Sequence, residues 1–237
     1  MSHQHKLFKK HSSATNAPAD IATLPQRLQE TSDFFDPKNL KKLILKYEGE
    51  VALLVIDVQA LFCIPKTGLG NEETVTVSKN IGTLTPEFRK AKIPVYAVSY
   101  ALPGMTPSDF YEYAPETGDT LIVKDQDSAF AGSDIGATLQ QDKRKLLLVC
   151  GFNFNACVKE TVLDARRAGY EVCILSDLVG NGVLTDDKVE NIKTLQTMEQ
   201  AGALLAPVQA VLSELQTKGF RQKMRRKVHN MLSSAFG

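Results

Sequence analysis

The stretch that decides the fold is residues 146–177, which read LLLVCGFNFNACVKETVLDARRAGYEVCILSD. Its opening run, 146–150, is continuously apolar, as is typical of a strand buried on both faces of a parallel sheet. Apolar positions then recur at helical spacing until Gly169, a residue type that commonly ends helices. A second apolar run at 172–175 completes a βαβ unit. This unit puts Cys157 at the carboxyl edge of the sheet, where open α/β sheets bind ligands.

Cys157 stands where the helix of this unit begins. A helix N-terminus carries unpaired N–H groups and the positive end of a dipole, which favour a thiolate and lower the pKa of a cysteine. The same N–H groups can hold a developing oxyanion. The alternative is that Cys157 is a small buried hydrophobe, which is how we interpret Cys150 and Cys173 inside their apolar strands.

The chain has 237 residues, enough for one large α/β domain with an extension at each end. We predict a poorly ordered N-terminal extension at 1–35, a single domain at 36–216 and a basic C-terminal tail at 217–237. The first extension lacks periodic apolar positions, so we expect it to be dispensable for folding. The tail is either a solvated helix or a weak surface for membranes or nucleic acids, and no aromatic ladder supports the second interpretation.

Composition argues against several classes of partner. The net charge of +1 gives no reason to expect a polyanion, and no apolar run approaches the roughly 18 residues that a membrane-spanning helix needs. The four cysteines include no CxxC pair, and no apolar stretch of a signal peptide follows the basic N-terminus. We therefore expect reduced thiols, a cytoplasmic location, and neither nucleic acid nor membrane as a partner.

All histidines lie near the ends of the chain. They are His3, His5, His11 and His229. A Cys–His pair or a histidine-based metal site inside the domain is therefore excluded unless a terminal segment folds back. If Cys157 is a nucleophile, another kind of side chain must take its proton.

Six short apolar runs alternate with helical patterns along the chain. This alternation predicts an α/β fold with a six-stranded parallel sheet, which we expect to be a doubly wound three-layer αβα sandwich with strand order 3-2-1-4-5-6. The predicted strands are 51–56, 94–99, 121–123, 146–150, 172–175 and 203–205. The main predicted helices are 37–47, 74–91, 133–140, 157–168, 185–201 and 208–215, with Ser133 and Thr185 as N-caps.

Two charged residues come directly after predicted strands. Asp57 follows the first strand and Lys124 the third. With the order 3-2-1-4-5-6, Asp57 and Cys157 meet at the switch point, and Lys124 reaches in with its long side chain. Asp57 could then take the thiol proton while Lys124 keeps the carboxylate ionised and stabilises the thiolate. The alternatives are that Asp57 caps a loop and that Lys124 is an ordinary solvated lysine.

The long segment 100–119 contains three prolines, two glycines and four aromatic residues. Long loops in compact domains are usually lids or binding loops. The alternative is a surface excursion with its aromatic side chains packed beneath it.

Several short patterns occur in a specific order and spacing. Asp57, Gln59 and Phe62 form an Asp-x-Gln-x-x-Phe pattern after a strand, and Lys124 is followed by Ser-Ala-Phe at 128–130. Gly151 precedes Cys157-Val158 by six residues, and Asp164-Ala165, Gly169-Tyr170-Glu171-Val172 and Asp177 follow. With these residues the chain resembles, over about 50–210, the isochorismatase-like cysteine hydrolases, which include nicotinamidases, carbamoylsarcosine amidohydrolases and ureidoacrylate amidohydrolases.

The resemblance implies an isochorismatase-like hydrolase domain with a catalytic triad of Asp57, Lys124 and Cys157. It also implies an oxyanion hole made by the backbone N–H groups of Ala156 and Cys157, and a cis peptide between Phe152 and Asn153. No cofactor is implied, and we expect a homo-oligomer. The substrate-binding residues that we expect are Phe62, Tyr100, Phe130, Phe152 and Asn153.

The sequence departs from the family pattern at two places. Phe154 stands where many members have a small hydroxyl residue, so that the turn 152–154 is atypical. The zinc site of nicotinamidases, an aspartate with two histidines after the second strand, is missing, because 99–102 reads SYAL. We therefore expect no metal, and this departure disfavours nicotinamide as the substrate.

The resemblance favours a metal-independent cysteine amidohydrolase that cleaves a C–N bond of a small amide, carbamoyl or ureido compound through a thioester. The presence of Cys157 favours this chemistry, because true isochorismatases usually lack the cysteine. The alternatives are an isochorismatase-type ether hydrolase and a member of the fold that binds a ligand or partner, with the terminal extensions making contacts.

Overall fold

The computed structural model describes residues 35–67, 69–101 and 106–217. Two predicted segments lie outside the described residues and stay predictions. They are the N-terminal extension 1–35, apart from residue 35, and the C-terminal tail 217–237, apart from residue 217. Phe35 is half-buried and packs against the core of the domain. Across the described part of the chain, no helix is both long and apolar enough to cross a bilayer.

The centre of the fold is a six-stranded sheet in the order β3-β2-β1-β4-β5-β6, in which every neighbouring pair is parallel. The predicted strand order is therefore confirmed. The two central strands are buried along their whole length on both faces, as their uniformly apolar sequences require. The strands are β1 (Val51–Ile56), β2 (Val95–Tyr100), β3 (Thr120–Lys124), β4 (Leu146–Gly151), β5 (Glu171–Val179) and β6 (Leu204–Ala206).

Helices cover both faces of the sheet, and each face has its own apolar core. The first core packs around α1, α3 and the helical residues 208–217, and the second around α4, α5 and α6. The helices are α1 (Pro37–Lys46), α2 (Ala60–Cys63), α3 (Glu72–Lys90), α4 (Ile135–Gln141), α5 (Lys159–Arg167) and α6 (Lys188–Gln200). A π-helical turn, Phe154–Val158, leads into α5.

The two predicted N-caps, Ser133 and Thr185, do not cap the helices that follow them. Helix α6 begins at Lys188 and is capped by Asp187, whose carboxylate accepts a hydrogen bond of 2.9 Å from the Glu190 N–H. Thr185 instead donates its hydroxyl to the Gly182 carbonyl at 3.3 Å. Helix α4 begins at Ile135, and Ser133 accepts from the N–H of that residue at 3.1 Å. Local side-chain-to-backbone hydrogen bonds thus form a turn before each helix rather than its cap.

The carboxyl ends of β1 and β4 lie unusually close together. A side chain at Gly151, which has φ +116°, would place its Cβ 1.9 Å from the Ile56 carbonyl oxygen. The next N–H, that of Phe152, donates to this same oxygen at 2.9 Å. Only glycine fits such a contact, and the contact brings the segments that follow the two strands together at one edge of the sheet.

Candidate active site

Asp57 is held at the carboxyl end of β1 in an unusual backbone conformation. Its φ is 54°, a value that costs energy for a residue other than glycine and that occurs often at functional sites. The Asp57 N–H donates to the Val98 carbonyl at 2.9 Å, and the side chain is fully buried. A buried carboxylate requires a charged partner.

Lys124 supplies that partner. Its Nζ lies 2.8 Å from Asp57 Oδ2, and both side chains are essentially inaccessible to solvent. The same ammonium group donates to the carbonyls of Gln126 and Asp127, each at 3.1 Å, and lies 4.1 Å from the centre of the Tyr100 ring. The interpretation of Lys124 as a solvated surface lysine is therefore wrong.

Gln59 and Phe62 hold Tyr100 over the lysine. The Gln59 amide accepts from the Tyr100 N–H at 2.7 Å and donates to the Tyr100 carbonyl at 3.1 Å and to the Pro107 carbonyl at 3.3 Å. The Phe62 ring meets the Tyr100 ring edge-on at 6.3 Å. The Asp-x-Gln-x-x-Phe pattern thus provides the carboxylate of Asp57. Its other two residues hold the Tyr100 ring, which covers Lys124. The role of Gln59 was not evident from the sequence.

The described part of the segment 100–119 packs onto the domain. Tyr111 donates its N–H to the Val58 carbonyl at 3.0 Å, and Tyr113 is buried with its ring against Phe110. Arg89 of α3 pairs with Asp119 at 2.6 Å near the end of the segment. These contacts favour the interpretation in which the aromatic side chains pack beneath the loop.

Cys157 lies in the π-helical turn before α5 and is only 4% exposed. Its Sγ donates to Asp127 Oδ1 at 3.7 Å, a contact that sequence reasoning missed because an aspartate in a polar turn carries no distinguishing signal. Asp57 is also near enough to the thiol that each group shifts the pKa of the other. The structure therefore brings Asp57, Lys124 and Cys157 together, as expected, and adds Asp127.

Burial dominates the protonation of this site. It raises the pKa of the Cys157 thiol, and the Asp57 carboxylate raises it further, while Lys124 opposes both effects. The expected lowering of the Cys157 pKa by a helix N-terminus is wrong, because burial of the thiolate and the nearby Asp57 carboxylate both raise this pKa. Burial also raises the pKa of Asp57 from 3.8 to about 6, against the stabilising charge of Lys124. In the free protein the Cys157 thiol is therefore protonated, and the nearby Asp57 carboxylate, with a pKa of about 6, can accept its proton.

The turn that carries the cysteine contains the expected cis peptide between Phe152 and Asn153. The Asn153 carbonyl accepts from the N–H groups of Ala156 at 3.1 Å and Val158 at 3.0 Å. The Ala156 N–H, one of the two expected oxyanion donors, is thus bonded to the turn itself. An incoming oxyanion would share this donor with the Asn153 carbonyl.

Side-chain amides brace the turn from the opposite side. Asn153 Oδ1 accepts from the Gly182 N–H at 2.8 Å, and the Asn155 N–H donates to Asn181 Oδ1 at 3.1 Å. Asn155 Nδ2 donates to Asn191 Oδ1 at 2.6 Å, and Asn181 Nδ2 donates to the same oxygen at 2.8 Å. This network links the turn to the segment after β5 and to α6. Its members are far apart in sequence, so spacing alone did not indicate it.

The expected substrate-binding residues have different surroundings. Phe62 and Tyr100 belong to the site, as described above. Phe152 is completely buried in the first core, and the Asn153 side chain is occupied by the loop after β5. Phe130 packs on the Tyr170 ring at 5.6 Å, toward the amino end of β5. The contacts of these last three residues are structural.

Within the described ranges, no group of three or more His, Cys, Asp or Glu side chains is placed to hold a metal ion.

Comparisons with known proteins point to one family. The family model described as the isochorismatase domain matches residues 51–209. A secreted isochorismatase effector of Verticillium dahliae is 24% identical over 165 residues, which are 66% of this chain and 83% of that protein. An N-carbamoylsarcosine amidase of an Arthrobacter species is 22% identical over 188 residues, which are 68% of this chain and 71% of that protein.

Solved structures show the same architecture. A cysteine hydrolase from Pseudomonas syringae superimposes with a TM-score of 0.63 at 20% identity, covering 71% of this chain and 93% of that one. This likeness establishes the fold, and the family match spans the whole sheet and the cysteine turn. The chain belongs to the isochorismatase family.

Proposed function

We propose that this protein is a metal-independent cysteine amidohydrolase that cleaves a C–N bond of a small amide, carbamoyl or ureido compound. The observation that carries the proposal is the buried ion pair of Asp57 and Lys124, 2.8 Å apart, beside the buried thiol of Cys157. A thiol, a carboxylate that can accept its proton and a cation that stabilises both anions are the components of nucleophilic catalysis without histidine.

In the proposed mechanism, Cys157 Sγ attacks the substrate carbonyl as Asp57 takes the thiol proton. The tetrahedral intermediate collapses to a thioester, and the C–N bond breaks as Asp57 returns the proton to the leaving nitrogen. Water, deprotonated by Asp57, then attacks the thioester and releases the acid and the free thiol. The Lys124 ammonium group stabilises the Asp57 carboxylate before each proton transfer.

Electrostatics support the assignment of Asp57 as the proton acceptor. Its pKa of about 6 leaves it mostly ionised at neutral pH and still basic enough to take a proton during attack. Because the pKa of Cys157 is raised, the thiolate forms only as the proton moves. The N-carbamoylsarcosine amidase relative, whose name denotes C–N cleavage, adds support from similarity.

The cellular setting is part of the same proposal. We infer a cytoplasmic homo-oligomer, and the four free, buried cysteines support the cytoplasmic location. One similar protein is a secreted effector, so fractionation of cells that express the full chain is the appropriate measurement. Gel filtration with light scattering tests the oligomeric state.

A panel of simple amides, carbamoyl compounds and ureas tests the function. We expect release of ammonia or amine from at least one class, and a covalent adduct on Cys157 when the reaction is quenched with acid and the protein is mapped by mass spectrometry. Hydrolysis of a vinyl ether with no adduct would favour the ether hydrolase instead. Ligand binding without turnover of any compound would favour a binding protein.

The pH profile should show the protonation of Asp57. Since this acid has a raised pKa and must be ionised to act, we expect kcat/KM to fall below about pH 6, by about tenfold per pH unit. The measurement is kcat/KM between about pH 5 and pH 8 with an uncharged amide. An acid limb near pH 4, the ordinary range of a carboxylic acid, would contradict the assignment.

Activity should also survive exhaustive chelation. The reason is the lack of any histidine between residues 12 and 228, because catalytic zinc sites usually include at least one histidine ligand. Turnover is measured before and after dialysis against a strong chelator. A loss of turnover that added zinc restores would contradict the proposal.

A further inference from the structure

Asp127 is placed at the mouth of the site by the same lysine that pairs with Asp57. Its backbone carbonyl accepts from Lys124 Nζ at 3.1 Å, which fixes the turn after β3. Its side chain is exposed, yet Oδ1 lies 3.7 Å from Cys157 Sγ. Any substrate whose carbonyl is attacked by this sulfur must therefore lie next to the Asp127 carboxylate.

The charge of Asp127 is not balanced by the groups around it. Lys124 is engaged by the Asp57 carboxylate, by two carbonyls and by the Tyr100 ring, and its contact with Asp127 is through the backbone. Among the ion pairs of the described residues, none involves the Asp127 carboxylate. The site thus holds one uncompensated negative charge.

This negative charge is unfavourable for a thiolate. The raised pKa of Cys157 is due first to burial and second to Asp57, and the Asp127 carboxylate adds to both. A carboxylate in contact with a nucleophilic sulfur raises the cost of ionising it unless something neutralises that carboxylate during attack. A substrate that brings its own positive charge would do so.

We propose that Asp127 is a specificity-determining residue that selects substrates with a positively charged nitrogen, an ammonium or guanidinium group, a few bonds from the carbonyl that Cys157 attacks. The ion pair with Asp127 holds the substrate over the sulfur and also removes the repulsion that opposes the thiolate. A neutral substrate analogue forms no ion pair and leaves the repulsion between Asp127 and the thiolate in place. The Asp127 carboxylate repels an anionic analogue. This inference rests on the proposed function and assigns its substrate class.

Two isosteric amides test the proposal by turnover. Glycinamide carries an ammonium group at neutral pH, and propionamide has the same heavy-atom skeleton without charge. We expect kcat/KM to favour glycinamide by about tenfold or more, and Asp127→Asn to abolish this preference by slowing glycinamide while propionamide, freed of the repulsion between the carboxylate and the thiolate, reacts faster. Asp125→Asn, the same charge change two residues away in the same turn, should keep the preference.

The outcomes distinguish this role from a part in proton transfer. If Asp127→Asn slows both amides alike, the residue acts as a base and the selection proposal is wrong. An equal preference in the wild-type protein and in Asp127→Asn would also overturn it.

A second measurement does not depend on hydrolysis. The thiol of Cys157 is modified by two methanethiosulfonates, one with a cationic aminoethyl group and one with an anionic sulfonatoethyl group, and the rates are followed by peptide mapping. We expect the cationic reagent to react faster, and the ratio of the two rates to fall by about tenfold in Asp127→Asn but not in Asp125→Asn. An unchanged ratio in Asp127→Asn overturns the proposal, even if no amide is hydrolysed and the proposed function itself fails.

Discussion

Cys157→Ala should abolish turnover of every amide that the wild-type protein hydrolyses, with a loss of at least about ten-thousandfold in kcat. The substitution removes the sulfur that forms the thioester, and no other thiol can replace it, because Cys63, Cys150 and Cys173 all pack in the first core, whereas Cys157 belongs to the second. The measurement is kcat with the best amide of the panel, together with calorimetric titration of the same compound. Binding should persist, since alanine leaves the turn and its amide network intact.

Cys150→Ala and Cys173→Ala are the matched controls. Both cysteines are as deeply buried as Cys157 but lie inside β4 and β5, so a comparable loss of volume should lower stability without removing activity. Near-normal turnover in Cys157→Ala would mean that water attacks the substrate directly. That result would favour the ether-hydrolase chemistry over the thioester.

Lys124→Met should lower both activity and stability. The substitution removes the only charge that compensates Asp57 among its described neighbours, and loss of one partner of a buried ion pair costs about 3–5 kcal/mol in the free energy of unfolding. The pKa of Asp57 should rise above its value of about 6, so that the carboxyl is protonated at neutral pH and cannot accept the thiol proton. Denaturant unfolding and kcat/KM measure the two effects.

The double variant Asp57→Asn/Lys124→Met separates them. Asparagine tolerates the left-handed backbone at position 57 and carries no charge, so the double variant should recover part of the stability that Lys124→Met loses. It should remain inactive, and Asp57→Asn alone should be slower than the wild type by about a hundredfold or more.

The destabilisation by Lys124→Met should also be larger at pH 8 than at pH 5, because Asp57 is ionised in the wild type above about pH 6. Equal stability of all variants at pH 8 would show that the ion pair contributes nothing to the fold.

Much of the site could be predicted from the sequence, because parallel strands place their carboxyl ends at one edge. Two uniformly apolar runs correspond to β1 and β4, and Asp57 and the turn of Cys157 follow them. That these two segments lie side by side follows from the strand order alone. Lys124 could be assigned to the same edge through β3. The patterns were strong because buried central strands admit few residue types.

The remaining features depend on distances between residues that are remote in sequence. The contact of Asp127 with Cys157 depends on how the turn after β3 folds against the lysine, and an exposed aspartate has no periodicity to indicate this. The amides of Asn155 and Asn191 meet only after α6 has packed. The sign of the Cys157 pKa shift was wrong for a similar reason: the helix start is visible in the sequence, whereas the burial of the sulfur is not.

Lys124 is the last residue of β3, an edge strand of the sheet, so the ion pair with Asp57 depends on an edge strand staying in place. Among the described residues β3 pairs only with β2, and its side chains Leu121 and Val123 are 62% and 50% exposed. Edge strands of this kind can detach through local fluctuations that leave the central strands paired. Such a fluctuation would withdraw the ammonium group from Asp57 while the rest of the molecule stays native. On heating, inactivation would then precede the cooperative melt, and amide hydrogen exchange in β3 would follow the same temperature dependence as the loss of activity.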